Sequence, residues 1–545
     1  MRALDLSALL RLVRDESGGR APRILALAAV SGLANAAILA IVNRAAFAAG
    51  QPGGSARYFL LFAVAAVLYV VTLNATFQST TRIIETSIER LRMRILEKIG
   101  RTDLASLEAI GTSTIYNALT RETATLTTAN SLITTALQSG AMVLFGSLYV
   151  FFLSPLAFLV IAVLVLLGVT WFFRRERVAR AVLRETTANE VAFFGNVHHA
   201  LSGFKETRLH WQRQRDLLDD IAVVSAQLRD LRIRTNDLGN RNHIFGHCFF
   251  FGLLAGAVFV FPTFVHAPSS VVMGLTTSVL FLMAPLTRII AFTPELNKAN
   301  VAAETILELE ARLDAAAEPG ADAGPPARQA GFTKIELRGA VIRYKAAPGE
   351  SAFQLGPIDF TLAPGELVFL AGGNGSGKST LIRMLTGLQF PQQGAIVLDG
   401  LRVGDRDRQR YRELFSAVFA DFHLFEKLYG LLGTEPARVN ELLRLMQIDR
   451  KTHVTADRFS TLDLSTGQRK RLALVIALLD DRPAFVFDEL AADQDPEFRR
   501  FLYESLLPEL RARGKAVVAA THDDRWFHIA DRVVRLDYGR VAEMP

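Results

Sequence analysis

The chain has 545 residues, of which half are hydrophobic and 21% charged, and it carries a formal net charge of +7. That length exceeds one ordinary core, and the positive mean hydropathy favours a membrane helix bundle joined to a soluble domain over several soluble domains. A single cysteine, Cys248 in the run HCFFFGLLAG, excludes an intrachain disulfide framework and a cysteine metal site, and is expected to act as a small buried hydrophobe.

The first residues, MRALDLSALLRLVRDESGGRAPR, are amphipathic and charged and lack an apolar core ending in a small-residue cleavage site. Residues 1–23 therefore read as a cytoplasmic lead-in, with the first span acting as an uncleaved insertion signal. Crossing about 30 Å of hydrocarbon takes roughly 20 mostly apolar helical residues. Six segments meet that length: Ile24 to Val42, Tyr58 to Phe77, Leu132 to Leu153, Leu156 to Phe173, Ile244 to Val265 and Val271 to Phe292.

The connections after the first, third and fifth spans are short. Those after the second and fourth are long, helical in period (RIIETSIERLRMRILEKI) and rich in Arg and Lys. Arg174, Arg175, Arg177 and Arg180 sit beside an apolar span with no interleaved aromatics, a pattern of cytoplasmic loops and not of nucleic-acid binding. The N-terminus is thus expected inside, and an even number of spans returns the chain there. Turns near Arg101 to Ser113 and Leu201 to His210, at the tips of the long extensions, are candidate couplers. Polar residues within the spans (Asn35, Asn43, Asn74, Gln138, His247) read first as bonds between helices. The His198-His199 pair has no acidic or cysteine partner nearby that would make it a metal site.

The transmembrane region is expected over 24–317. AAAEPGADAGPPARQAG then carries no periodicity, so 318–331 reads as a linker. From 332 to 545, short β-rich runs (LVFLAG, AFVFDE, AVVAA) alternate with helical stretches, which predicts an α/β domain.

GELVFLAGGNGSGKSTLIRML supplies a strand, then Gly372, Gly373, Asn374, Gly375, Ser376, Gly377, Lys378, Ser379 and Thr380, then a helix. This is a P-loop in its required context. Its glycines let backbone N–H groups turn towards phosphates, Lys378 reaches the β- and γ-phosphates, and the Ser379 hydroxyl ligates Mg²⁺. Further on, AFVFDEL is an apolar strand ending in Asp488, suited to Mg²⁺, and Glu489, suited to general-base activation of water. Between them, LDLSTGQRKRLALVIAL opens a helix with Ser465, Thr466, Gly467 and Gln468, a helix N-terminus able to meet an anion.

With these motifs in hand, the whole chain resembles the ATP-binding cassette (ABC) transporter family, whose LSGGQ signature stands here with Thr466 in place of the first glycine. The resemblance implies an all-α six-helix transmembrane domain of the exporter type followed by a P-loop ATPase domain. It implies that Ser465 and Gly467 contact the γ-phosphate bound by a second subunit, that Asp495 is the D-loop aspartate, His522 of ATHDD the switch histidine, and Tyr344 of IRYK the adenine-stacking aromatic. It further implies ATP and Mg²⁺ as cofactors and a homodimer in the bacterial inner membrane with the ATPase domain cytoplasmic.

One departure stands out: where the family places a Mg²⁺-ligating glutamine, VFADFHLF has Asp421. With it, LSTGQRKRLAL, FDELAADQDPEFRRFLYESLLPEL and THDD resemble the subgroup exporting cyclic peptides and peptide siderophores, including the pyoverdine-precursor and syringomycin exporters. Export of such a peptide is therefore expected. A lipid or multidrug exporter, or an ATP-gated membrane protein that does not pump, are the alternatives, and Glu489 argues against the last.

Overall fold

The computed structural model describes residues 8–9, 11–12, 21–47, 54–265, 268–320, 331–344 and 353–542. Most of the expected lead-in, most of the expected linker and part of the connection from Pro262 to Ser270 lie outside them. The chain divides into two compact units, one of residues 1–95 and 113–311, the other of 96–112 and 312–545.

The first unit is helical. Its elements are α1 (Ala21–Phe47), α2 (Gly54–Arg101), α4 (Thr112–Leu153), α5 (Pro155–Ser202), α6 (Phe204–Leu209), α7 (Trp211–Val265) and α8 (Ser269–Ala315). The short α3 (Leu104–Ile110), and with it the far ends of α2 and α8, belong to the other unit. Among the described residues, six helices are long and apolar enough to cross a membrane. Hydrophobic side chains such as Phe59, Leu60, Val64, Val67 and Val71 point outward along α2, which only a lipid surface satisfies.

Between helices, small residues allow close approach. A side chain on Gly32 would collide with Ala141 at 2.5 Å, and one on Gly274 with Leu153 at 2.8 Å. Polar residues bond across helices as expected: Asn43 Nδ2 donates to the Tyr149 hydroxyl (3.2 Å) and Gln138 Nε2 to the Tyr69 hydroxyl (3.1 Å). Asn74 instead accepts from Gln78 of its own helix, and His247 faces His243 one turn earlier. Cys248 is exposed and not buried, because the buried face of this part of α7 is taken by Phe250 and Leu253.

The second unit is α/β. Its strands are β1 (Ile335–Arg343), β2 (Gln354–Leu362), β3 (Leu367–Ala371), β4 (Gln393–Leu398), β5 (Leu401–Arg402), β6 (Phe415–Val418), β7 (Val454–Thr455), β8 (Arg458–Phe459), β9 (Ala484–Asp488), β10 (Ala516–Ala520), β11 (Arg532–Asp537) and β12 (Arg540–Ala542). An antiparallel sheet has the order β2-β1-β4-β5, and a six-stranded sheet the order β12-β11-β3-β10-β9-β6. In the latter, β11, β3, β10, β9 and β6 are parallel. Every residue of β3, β9 and β10 is buried, which explains why these strands read as continuous apolar runs and not as alternating ones. Parallel strands bring their carboxyl ends to one edge, so the loops after β3, β9 and β10, three neighbours in the sheet, meet there.

Candidate nucleotide site

The P-loop leaves β3 and enters α9 (Lys378–Leu385). Its glycines are required by geometry at two positions. Gly372 has φ +151° and a side chain there would lie 2.3 Å from the Leu536 carbonyl oxygen; Gly377, at φ +104°, would meet Leu355 at 2.9 Å. Lys378 is 5% exposed and its ammonium donates to the carbonyls of Gly372 (3.0 Å) and Gly373 (3.1 Å). Burial holds its pKa below the ordinary lysine value, opposed by the charges of Glu489 and Asp488.

Asp488 ends β9 and is buried. Its carboxyl pKa is raised, first by that burial, while a hydrogen bond from the Ser379 hydroxyl works the other way. One carboxylate oxygen of Asp488 and the buried Ser376 hydroxyl have no hydrogen-bond partner among the described residues. A buried lysine, two partnerless oxygens and a turn of backbone N–H groups fit a phosphate with a divalent cation, which would supply the missing partners.

Glu489 follows immediately in left-handed backbone, φ +52°, a conformation that a non-glycine residue holds only at a cost. Its N–H donates to the Ala520 carbonyl of β10 (3.2 Å). Its side chain lies 3.1 Å from His522 Nε2 and 4.0 Å from Lys378 Nζ. In that contact Nε2 of His522 donates in the tautomer that bears its proton there, and the carboxylate oxygen accepts. P-loop lysine, acidic strand end and histidine are thus brought together by β3, β9 and β10.

Two cations that the sequence reading passed over hold this arrangement. Lys470 and Arg471, both buried, lie on α12 (Thr466–Asp480). Lys470 Nζ donates to the carbonyls of Glu489 and Ala492 and to Asp493 Oδ2, each at 3.1 Å. Arg471 donates to Gln494 Oε1 (2.9 Å) and to Asp495, and lies 4.0 Å from the Phe498 ring centroid. Asp495 in turn caps the next helix, accepting from the Phe498 N–H at 2.8 Å. The signal was present: of the three adjacent cations Arg469, Lys470 and Arg471 that precede an apolar helical run, only the first is exposed, and the buried two need partners.

Tyr344 immediately follows β1. Its hydroxyl donates to Gln389 (2.8 Å) and its ring lies 6.2 Å from that of Phe353, which is the ring that a side chain on Gly377 would touch at 3.2 Å. Phe353 is therefore a second aromatic beside the P-loop. Asp421 is 77% exposed and 3.6 Å from Arg383 of α9, whose other guanidinium nitrogen lies 3.2 Å from Glu108 of α3.

Residues 355–492 match the family model described as ABC transporter, and residues 24–207 match that of the ABC transporter transmembrane region. ATP-binding protein SyrD of Pseudomonas syringae pv. syringae is 32% identical over 535 residues, covering 94% of this chain and 92% of that protein. The chain belongs to the ABC transporter family. Its membrane and ATPase domains share one polypeptide, as in exporters, and it is an ATP-driven membrane transporter. An ATP-dependent lipid A-core flippase of Burkholderia orbicola (strain AU 1054) is 28% identical over 83% of the chain and 77% of its own length. In fold, the chain is similar to a bacterial Atm1-family ABC exporter solved with ATP bound, with a TM-score of 0.76, 17% identity and coverage of 95% and 94% of the two chains.

The structure explains the departure at Thr466 of this ABC signature. Ser465 caps α12, exchanging capping-box hydrogen bonds with Gln468. Thr466 is the exposed first helical residue, where a side chain meets no constraint. Gly467 has no such freedom, since a Cβ there would lie 2.6 Å from the Asp493 carbonyl oxygen, and its own carbonyl accepts from Gln494 at 3.0 Å. Thr466→Gly is therefore expected to leave ATP hydrolysis by the purified transporter within about twofold, as for an exposed substitution. Gly467→Ala, which displaces the segment holding Glu489, is expected to lower it about a hundredfold; equal rates in the two variants would contradict this reading.

Proposed function

We propose that the protein is a homodimeric exporter that uses ATP hydrolysis to move a cyclic or nonribosomal peptide, or a peptide siderophore or its precursor, across the bacterial inner membrane. The observation that carries the substrate class is the similarity to SyrD, which runs along 94% of the chain, membrane region included, together with the likeness of the ATPase motifs to the cyclic-peptide exporter subgroup. The second reading, a lipid exporter, is favoured by the flippase relatives, of which the Burkholderia orbicola one matches 83% of the chain at 28% identity.

In this account the P-loop N–H groups and Lys378 bind the ATP phosphates, Tyr344 supports the adenine, and Ser465 and Gly467 of the second copy meet the γ-phosphate. Ser379, Asp488 and Asp421 would hold Mg²⁺, which would neutralise phosphate charge. Glu489 accepts a proton from the attacking water, and His522 orients Glu489 through the hydrogen bond described above. Closure of the nucleotide sandwich would drive the membrane helices towards an outward-open state, and hydrolysis would reset them.

Asp421 keeps the metal role of the family glutamine, and its nearness to Arg383, itself beside Glu108 of α3, ties it to coupling. Asp421→Ala is expected to weaken the apparent Mg²⁺ affinity in ATPase assays about tenfold; an unchanged Mg²⁺ dependence with full transport would remove Asp421 from both roles. The substrate is tested with Glu489→Gln, which should slow hydrolysis about a hundredfold or more while retaining ATP binding. Mass spectrometry of source cells carrying that variant should then find a peptide accumulating inside and depleted outside. Accumulation of a lipid in place of a peptide would favour the second reading.

A further inference from the structure

The first residue of the expected linker, Glu318, is tied into the ATPase unit by side chain and backbone. α8 ends at Ala315, and three residues later Glu318 turns its side chain into the unit, where only 11% of it is exposed. Arg412 grips both carboxylate oxygens, Nη1 to Oε2 at 2.7 Å and Nη2 to Oε1 at 2.5 Å, and Arg408 reaches Oε1 at 3.2 Å. Both arginines belong to α10 (Arg408–Arg412), and Arg408 lies over the Phe390 ring at 4.3 Å. A planar, two-pronged pair with little water around it fixes orientation as well as distance.

The same residue is strapped by its backbone. The Glu318 N–H donates to the Arg101 carbonyl at the end of α2 (2.7 Å), and the Asp103 N–H donates back to Ala316 (3.2 Å). Lys98 of α2 pairs with Asp314 of α8 at 2.8 Å. On the far side, Arg412 Nε donates to the Gly387 carbonyl (2.7 Å), and the Tyr411 hydroxyl to Leu385 (2.6 Å), at the end of the helix that begins with the P-loop lysine. Gly320 completes the turn at φ +84°, where a side chain would strike the Asp405 carbonyl at 2.2 Å.

We propose that Glu318 is a positioning residue for transport, fastening the ends of membrane-derived helices α2 and α8, through Arg412, to the end of the P-loop helix. Movement of that helix on nucleotide binding then reaches both membrane helices without slack. An Ala- and Gly-rich tether would not transmit it, because such a chain absorbs displacement in its own torsions.

The test is hydrogen–deuterium exchange of the full-length protein in detergent or nanodiscs, with and without ATP plus vanadate. The wild type should show nucleotide-dependent exchange changes in the P-loop and in the α2 and α8 peptides that extend into the membrane region. Glu318→Gln should retain P-loop protection and ATP hydrolysis within about threefold, and lose the change in the membrane peptides. Glu318→Asp, which keeps the carboxylate for Arg408 and Arg412, should retain it. A Glu318→Gln protein whose membrane peptides respond as in the wild type would overturn the proposal. So would loss of P-loop protection in Glu318→Gln and Glu318→Asp alike, which would make Glu318 a folding residue only.

Discussion

The structure depends on a buried charge set in the ATPase unit, the Lys378 ammonium and the Asp488 carboxyl, each of which acts on the other. Lys378, at the start of α9, and Asp488, at the end of the fully buried β9, are both buried, and one oxygen of Asp488 and the hydroxyl of Ser376 lack partners among the described residues. A buried polar group without a partner costs about 1–3 kcal/mol, so such a site persists only if the surrounding fold pins it. The pins are visible: the parallel order β3, β10, β9, the left-handed turn at Glu489, and Lys470 holding the carbonyl of that turn. The geometry of these groups is thus set by packing in advance of any phosphate.

Hydrolysis is useful to a transporter only if it moves the membrane helices. The ATPase unit contains α3 and the far ends of α2 and α8, so the helices enter it as part of its body. Two ion-pair links converge on α9 from that side, one through Arg383 and Glu108, the other through Arg412 and Glu318. They differ in kind. The first is open to solvent at Asp421 and Glu108, and exposed pairs are weak and easily exchanged, a property suited to sensing. The second is largely buried and two-pronged, a property suited to fastening.

Much of this was legible in the sequence wherever chemistry demands fixed residues at fixed spacing. The P-loop, the acidic strand and the six apolar spans are of that type, since phosphate geometry and bilayer thickness leave little choice. Less legible was anything whose partner lies far along the chain. Glu318 stands in an Ala, Gly and Pro run with no periodicity, while its arginines come 90 and 94 residues later. The three acceptors of Lys470 likewise lie 19, 22 and 23 residues further on. Cys248 was expected to be buried from its apolar neighbours, but in so apolar a helix hydrophobicity does not mark the inner face, because lipid is an equally good solvent for it.

In the proposed homodimer, one copy supplies the P-loop and the other the signature serine of each nucleotide site. This arrangement is tested most directly by coexpressing two single-cysteine chains in a Cys248→Ala background, one with Asn374→Cys and one with Ser465→Cys, and adding a short bis-maleimide with and without ATP. A covalent dimer of the mixed pair should form only with ATP. Chains that bind ATP and still yield no mixed dimer would contradict it.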